Sequence, residues 1–196
     1  MFTFAAAVFF LIITPGPGVL SAAGVGAGYG LGAGTRYVAG LCIGTNLVAL
    51  AVVTGVAAFV LAEPAIRTVL LYASVAYLLY LAARIAFAGA KIAFIERSKP
   101  PGVLGGITLQ IINPKAYAVN TTLFSGFAFM TADPLAETLI KFAIMNAIWI
   151  PIHFLWVGAG IWLHRLDLPQ RVQFAINVLM ALSMLAVVGL ALWSQQ

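Results

Sequence analysis

Charge is what this chain has least of. Its 196 residues include ten Lys or Arg and five Asp or Glu, so 8% are charged while 63% are hydrophobic. A soluble domain carries about 25% charged residues and about 45–50% apolar ones. So few charges cannot cover a globular surface in water, which excludes a soluble enzyme. Disorder is excluded by the same figures, because it requires low hydrophobicity and high charge. Cysteine is nearly absent: Cys42 stands alone in an apolar run, cannot form an internal disulfide, and reads as a small buried hydrophobe. Acids are missing from the apolar runs. Glu63, Glu96, Asp133, Glu137 and Asp167 all fall in or next to predicted loops. No carboxylate pair is therefore placed at mid-membrane depth for a divalent metal, and no Cys/His cluster replaces it, so no metal or other cofactor is expected. There is no phosphate loop of the Gly-Lys-Ser/Thr kind to burn ATP, and no nucleophile–base pair to mark an enzyme. The basic residues are dispersed over short loops, which argues against nucleic acid as a partner.

What is present is long uncharged sequence. Met1–Thr35, Tyr37–Ala62, Thr68–Ala83, Phe142–His164 and Val172–Gln196 carry no Asp, Glu, Lys or Arg, and Pro100–Ala132 carries only Lys115. A membrane-spanning helix needs about 20 apolar residues, whereas a transmembrane barrel shows short alternating segments. These runs predict an all-α polytopic membrane protein with six transmembrane helices, at about 2–26, 37–61, 66–88, 103–127, 138–162 and 172–193. The joints carry breakers: Gly28, Gly30, Gly32 and Gly34, then Glu63-Pro64, Pro100-Pro101-Gly102, Asp133-Pro134 and Asp167-Leu168-Pro169. A signal peptide would carry a positive n-region, and no Lys or Arg precedes Thr14, so the first helix is expected to stay uncleaved. The chain reads as one transmembrane domain over 1–196. Basic residues set topology. Arg36, Arg84, Lys91, Arg97, Lys99, Arg165 and Arg171 fall on one side, and Arg67 and Lys141 on the side holding both termini. The richer side is expected in the cytoplasm and both termini outside.

Two interrupted segments stand in matching places. Thr14-Pro15-Gly16-Pro17-Gly18 breaks the first span and Asn113-Pro114-Lys115 the fourth; Pro15 and Pro114 are 99 positions apart, Asn46 and Asn146 100. Each half, about 1–92 and 103–196 around a loop at about 93–102, is thus a broken helix followed by two more. Three spans per half make the repeat inverted, a 3+3 arrangement whose broken helices point to a transporter's midplane site. A mid-helix Pro removes a donor and strains the preceding turn. Unwound backbone at that depth must be buried or line a wet cavity. Half-helix N-termini favour an anion such as a carboxylate. Lys115 is the only formal charge near the centre of a span, and such a charge is a functional-site hypothesis by default. The expected substrate site is therefore Thr14, Pro15, Gly16, Pro17, Asn46, Asn113, Pro114, Lys115 and Asn146, with Lys115 and His153 as candidates for proton coupling. Asn120 reads either as a cross-helix hydrogen bond or as a substrate contact, Asn177 as a cross-helix bond, and Tyr77 and Tyr117 as packing residues with cavity lining as the alternative. Gly26-xxx-Gly30 and Gly40-xxx-Gly44 read as close helix approaches that also permit a homodimer.

These motifs resemble the lysine-exporter (LysE/RhtB-like) translocator family. Thr14-Pro15-Gly16-Pro17 looks like its first-helix signature, Tyr77-Leu78-Leu79-Tyr80-Leu81 like its third-helix pattern and Ile112-Asn113-Pro114-Lys115-Ala116 like its fourth-helix signature. The resemblance covers nearly the whole chain. It implies a bacterial inner-membrane secondary transporter exporting amino acids or close derivatives by proton-driven antiport. Many members carry Asn or Asp after the Pro-Gly-Pro, where this chain has Gly18. A neutral substrate, held through its carboxylate and backbone groups, is therefore expected rather than a basic one. A passive channel and a non-conducting accessory protein are the rival readings.

Overall fold

A computed structural model describes residues 1–57, 62–66 and 99–166, with scattered positions within 68–83 and 169–182. The described residues are helical and contain no strand. The elements are α1 (Phe2–Ile13), α2 (Pro17–Val53), α3 (Val103–Ile112), α4 (Pro114–Gly126) and α5 (Pro134–Arg165). The predicted third and sixth spans, with Tyr77 and Asn177, lie largely or wholly outside these residues.

Proline starts α2, α4 and α5 at their first position. There its missing N–H is harmless and its fixed φ suits a helix. Two of the three starts are capped by a side chain. Asn113 Oδ1 accepts from Lys115 N at 3.1 Å, and Asp133 Oδ1 accepts from Ala136 N at 3.0 Å. Such caps satisfy donors that the helix leaves open.

α2 is 37 residues long but is not one rod. Gly30 has φ +78 and ψ −177, inside an otherwise helical run, a backbone region essentially restricted to glycine. Tyr37 Oη donates to Ser21 Oγ at 3.1 Å across 16 residues. Along a straight helix those residues would be about 24 Å apart, so the chain folds back at Gly30 into two arms. The expected turn in the Gly-rich stretch is therefore present as a single break. With α1 the first arm occupies the predicted first span, and the second arm occupies most of the predicted second. Gly30 itself has nothing within 4 Å of a built Cβ, so it serves the turn and not a helix contact. That corrects the packing expectation at this position.

Close approach is real at the other glycines. A Cβ on Gly26 would meet the Val157 carbonyl oxygen at 2.6 Å, and one on Gly34 would meet Val157 Cγ1 at 2.7 Å, so both arms press on α5. A Cβ on Gly44 would lie 2.7 Å from Gln110 Cβ, and Gly40 is pressed equally hard against Val103 of α3. α2 is thus the centre of the fold, with α3, α4 and α5 against it and α1 wedged between α4 and α5. The core lies along these contacts, in Phe4, Val8, Leu41, Leu109, Leu123 and Met145. α2 and α5 are both long and apolar enough to cross a membrane.

One predicted loop charge is misplaced. Lys141 is a buried residue of α5, 4% exposed. Its Nζ lies 2.8 Å from Glu137 Oε1 and 3.2 Å from the Phe124 carbonyl, and faces the Phe4 and Phe129 rings. Because α5 begins at Pro134, positions 137 and 141 fall on one helical face, four residues apart. Glu137 Oε2 also accepts from the backbone N–H groups of Phe129 and Met130 at 2.9 and 2.5 Å. The pair fastens the 127–133 turn. Lys141 therefore drops out of the loop count on the terminal side, while Glu137, in the first turn of α5 beside that loop as expected, is its buried ion-pair partner.

Candidate functional site

The two helix breaks meet. α1 ends at Ile13, and Thr14, Pro15 and Gly16 run extended into α2. α3 ends at Ile112, and Asn113 alone separates it from α4. Lys115, one residue into α4, reaches across to the first break. Its Nζ donates to the Thr14 carbonyl at 2.7 Å and to the Pro15 carbonyl at 3.4 Å. These carbonyls lie at the C-terminal end of a half-helix, where the helix dipole is negative and a cation is favoured. Gly16 leaves the passage open: a Cβ there would lie 2.8 Å from Lys115 Cδ and 3.0 Å from Nζ. Gly16 is extended, with φ −169, so the lysine and not the backbone angle demands its small size.

The second break is closed from within. Asn113 caps α4 with Oδ1 and donates through Nδ2 to Gln110 Oε1 at 3.0 Å. Tyr117 Oη donates to the Ile111 carbonyl at 2.8 Å.

Between the breaks lies a chamber of about 50 Å³. Its polar lining includes Thr45, Gln110, Asn113, Lys115, Asn120 and His153; its apolar lining includes Leu11, Val19, Val119, Met145 and Trp149. His153 is buried and stacks on Trp149, and its Nδ1 faces the Trp149 carbonyl at 2.9 Å. A carbonyl accepts, so Nδ1 carries the proton and Nε2 is the other face of the ring. A Cβ on Gly18 would sit 3.4 Å from that Nε2. The side chain absent at Gly18 would thus have entered the chamber beside His153. α2 opens here without a side-chain cap. No carboxylate lines the chamber among the described residues.

Of the residues singled out in the sequence, Thr14, Gly16, Gly18, Asn113, Lys115, Asn120 and His153 line the chamber together. Pro15, Pro17 and Pro114 set the breaks without lining it. Asn46 and Asn146 do not line it either. They form a reciprocal amide pair, each Nδ2 donating to the other's Oδ1 at 2.8 Å. Each also donates to the carbonyl four residues back, Cys42 or Phe142. Gln110, Thr45, Met145 and Trp149 were not singled out. Met145, Trp149 and His153 recur every four residues on one face of α5, a stripe that His153 alone would have located.

Two helix breaks that meet around a partly polar chamber are the arrangement expected at the midplane site of a membrane transport protein. A profile of the LysE type translocator family matches residues 9–196, and the chain belongs to that family. Leucine efflux proteins of Salmonella typhimurium and Salmonella typhi are each 28% identical over 148 residues, covering 73% of this chain and 68% of their own length. No solved structure matches. The chain is therefore a translocator and not an enzyme, and its kinship supports amino acid export and an integral membrane location.

Proposed function

We propose that this protein exports neutral amino acids of the leucine type across the bacterial inner membrane, by alternating access with protons as the coupling ion. The observation that carries this reading is the Lys115 bridge from the second break to the carbonyls of the first, in the wall of a chamber shared by both halves. The apolar wall of Met145, Trp149 and Val19 suits an aliphatic side chain. The uncapped start of α2 and the ammonium of Lys115 suit a substrate carboxylate. The name of the leucine efflux relatives points to the same substrate class.

A chamber of about 50 Å³ has room for roughly three to five waters at 10–15 Å³ each. An amino acid does not fit until the halves part, so a rocking motion is required for passage, as in other inverted repeats. Lys115 and His153 are the groups placed to exchange protons with the chamber. Six spans in a 3+3 inverted repeat, and both termini on the periplasmic side, complete the proposal.

The test is counterflow of labelled leucine in proteoliposomes, with a pH gradient imposed and then collapsed by a protonophore. Leucine flux that follows the gradient and falls with the protonophore is expected. Flux indifferent to the gradient would make the protein a passive channel. Absence of flux for every neutral amino acid would leave an accessory role.

A further inference from the structure

Asn120 holds the one buried side-chain oxygen that has no partner among the described residues. The residue is 1% exposed and lines the chamber. Its Nδ2 donates to the Ala116 carbonyl at 2.8 Å. That bond fixes the amide: a flip would press two carbonyl oxygens together. Oδ1 is therefore the open group, a buried acceptor on a chamber-lining residue with no donor assigned to it. Buried polar groups are almost always satisfied, so an exception calls for a partner that the chamber can admit.

Resting on the reading of this chamber as the amino acid route, we propose that Asn120 Oδ1 is the acceptor for the substrate's α-ammonium group. His153 Nε2 supplies a second acceptor when the ring is neutral, since its Nδ1 is committed to the Trp149 carbonyl. The carboxylate lies toward Lys115 and the uncapped first turn of α2. The chamber thus takes the two ends of a zwitterion with one cation and neutral acceptors. A carboxylate at the ammonium end would add a negative charge that a zwitterion does not need. Its absence among the lining residues also leaves a cationic side chain without a counter-charge. The site therefore selects α-amino acids with uncharged side chains.

The test compares leucine with 4-methylpentanoate, the same molecule without its amine, as inhibitors of labelled-leucine counterflow. Binding is read in parallel from the fluorescence of Trp149, which lines the site. The wild type is expected to prefer leucine by at least about tenfold, the loss of one charge-assisted hydrogen bond. In Asn120→Leu that preference should collapse toward onefold, while 4-methylpentanoate binds as before. In Asn120→Asp, which keeps an acceptor, the preference should be retained. Equal weakening of both compounds in Asn120→Leu, or loss of the preference in Asn120→Asp as well, would overturn the assignment and leave Asn120 a packing residue. Absence of wild-type leucine flux would instead refute the transport reading itself.

Discussion

The two helix breaks stand in matching positions but satisfy their open backbone in opposite ways. The second is self-sufficient: Asn113, Gln110 and Tyr117 satisfy its open backbone from within the same few turns. The first satisfies little of its own. Thr14 Oγ1 turns back to the Phe10 carbonyl at 2.6 Å, and the carbonyls of Thr14 and Pro15 are met by Lys115 from the other half. Its helix start, α2, is left uncapped toward the chamber. Two halves joined in this way are not equivalent. The second break is satisfied within itself, and the first is completed by a lysine from the second. Any relative motion of the halves must stretch that reach before it disturbs the second break.

Removing the reach should have the largest effect. Lys115→Met leaves two carbonyls without their donor and the chamber without its cation. Leucine counterflow should fall about 100-fold, toward the upper range for losing a hydrogen bond to a charged group. Thermal stability in detergent should drop by about 1 kcal/mol, the net worth of one hydrogen bond. Full-rate flux in this variant would remove Lys115 from the site. Tyr117→Phe, which loosens only the self-closed break, should reduce flux far less.

Gly16→Ala attacks the same contact from the other side. Its Cβ would stand 2.8 Å from Lys115 Cδ, and the flexible lysine is what must move. Flux should decline about tenfold with the fold intact, since distances beyond good hydrogen-bond geometry weaken the contact steeply. Gly32→Ala is the control: nothing lies within 4 Å of its Cβ, and a helical Gly→Ala change stabilises by roughly 0.5–1 kcal/mol. Equal flux losses in the two variants would mean that Gly16 matters only as a flexible link.

Gly18→Asp probes the uncapped start of α2. The new carboxylate would enter the chamber near His153 Nε2 and supply the missing counter-charge for a cationic substrate. Lysine should then compete with leucine about fivefold better than in the wild type, a gain typical of one favourable ion contact in a half-wet site. Unchanged selectivity would show that position 18 does not face the substrate.

The breaks themselves were legible because Pro and Gly punctuate helices, and Lys115 because a lone charge in an apolar run has few bland explanations. The fold-back at Gly30 was legible as a turn, though not as a single residue. Faces were less legible. Asn120 and Trp149 become chamber residues only once the inward side of α4 and α5 is known, and a nearly all-apolar helix shows no strong polar side from which to read it. Lys141 was misread because a charge near a predicted helix end normally reaches water; Glu137 four residues earlier was the signal that it need not.

The smallest effect, and the one that most sharpens the comparison, concerns Asn46 and Asn146. Their spacing of 100 residues marks them as equivalent positions and predicts that they shape the cavity or receive the substrate amine. They are instead equivalent to each other's partner. Each donates to the other and to the carbonyl four residues back, so the pair is symmetric where the breaks are not. A symmetric pair saturated with itself has little left for a ligand. Asn46→Ala and Asn146→Ala should each lower stability modestly, by about 0.6 kcal/mol per lost interhelical bond. The double variant should cost less than the sum of the two, because both single changes remove the same contact. The leucine KM should stay where it is. A rise in KM with additive stability losses would return both asparagines to the substrate, and would mean that the symmetric seam, and not only the Lys115 bridge, opens during transport.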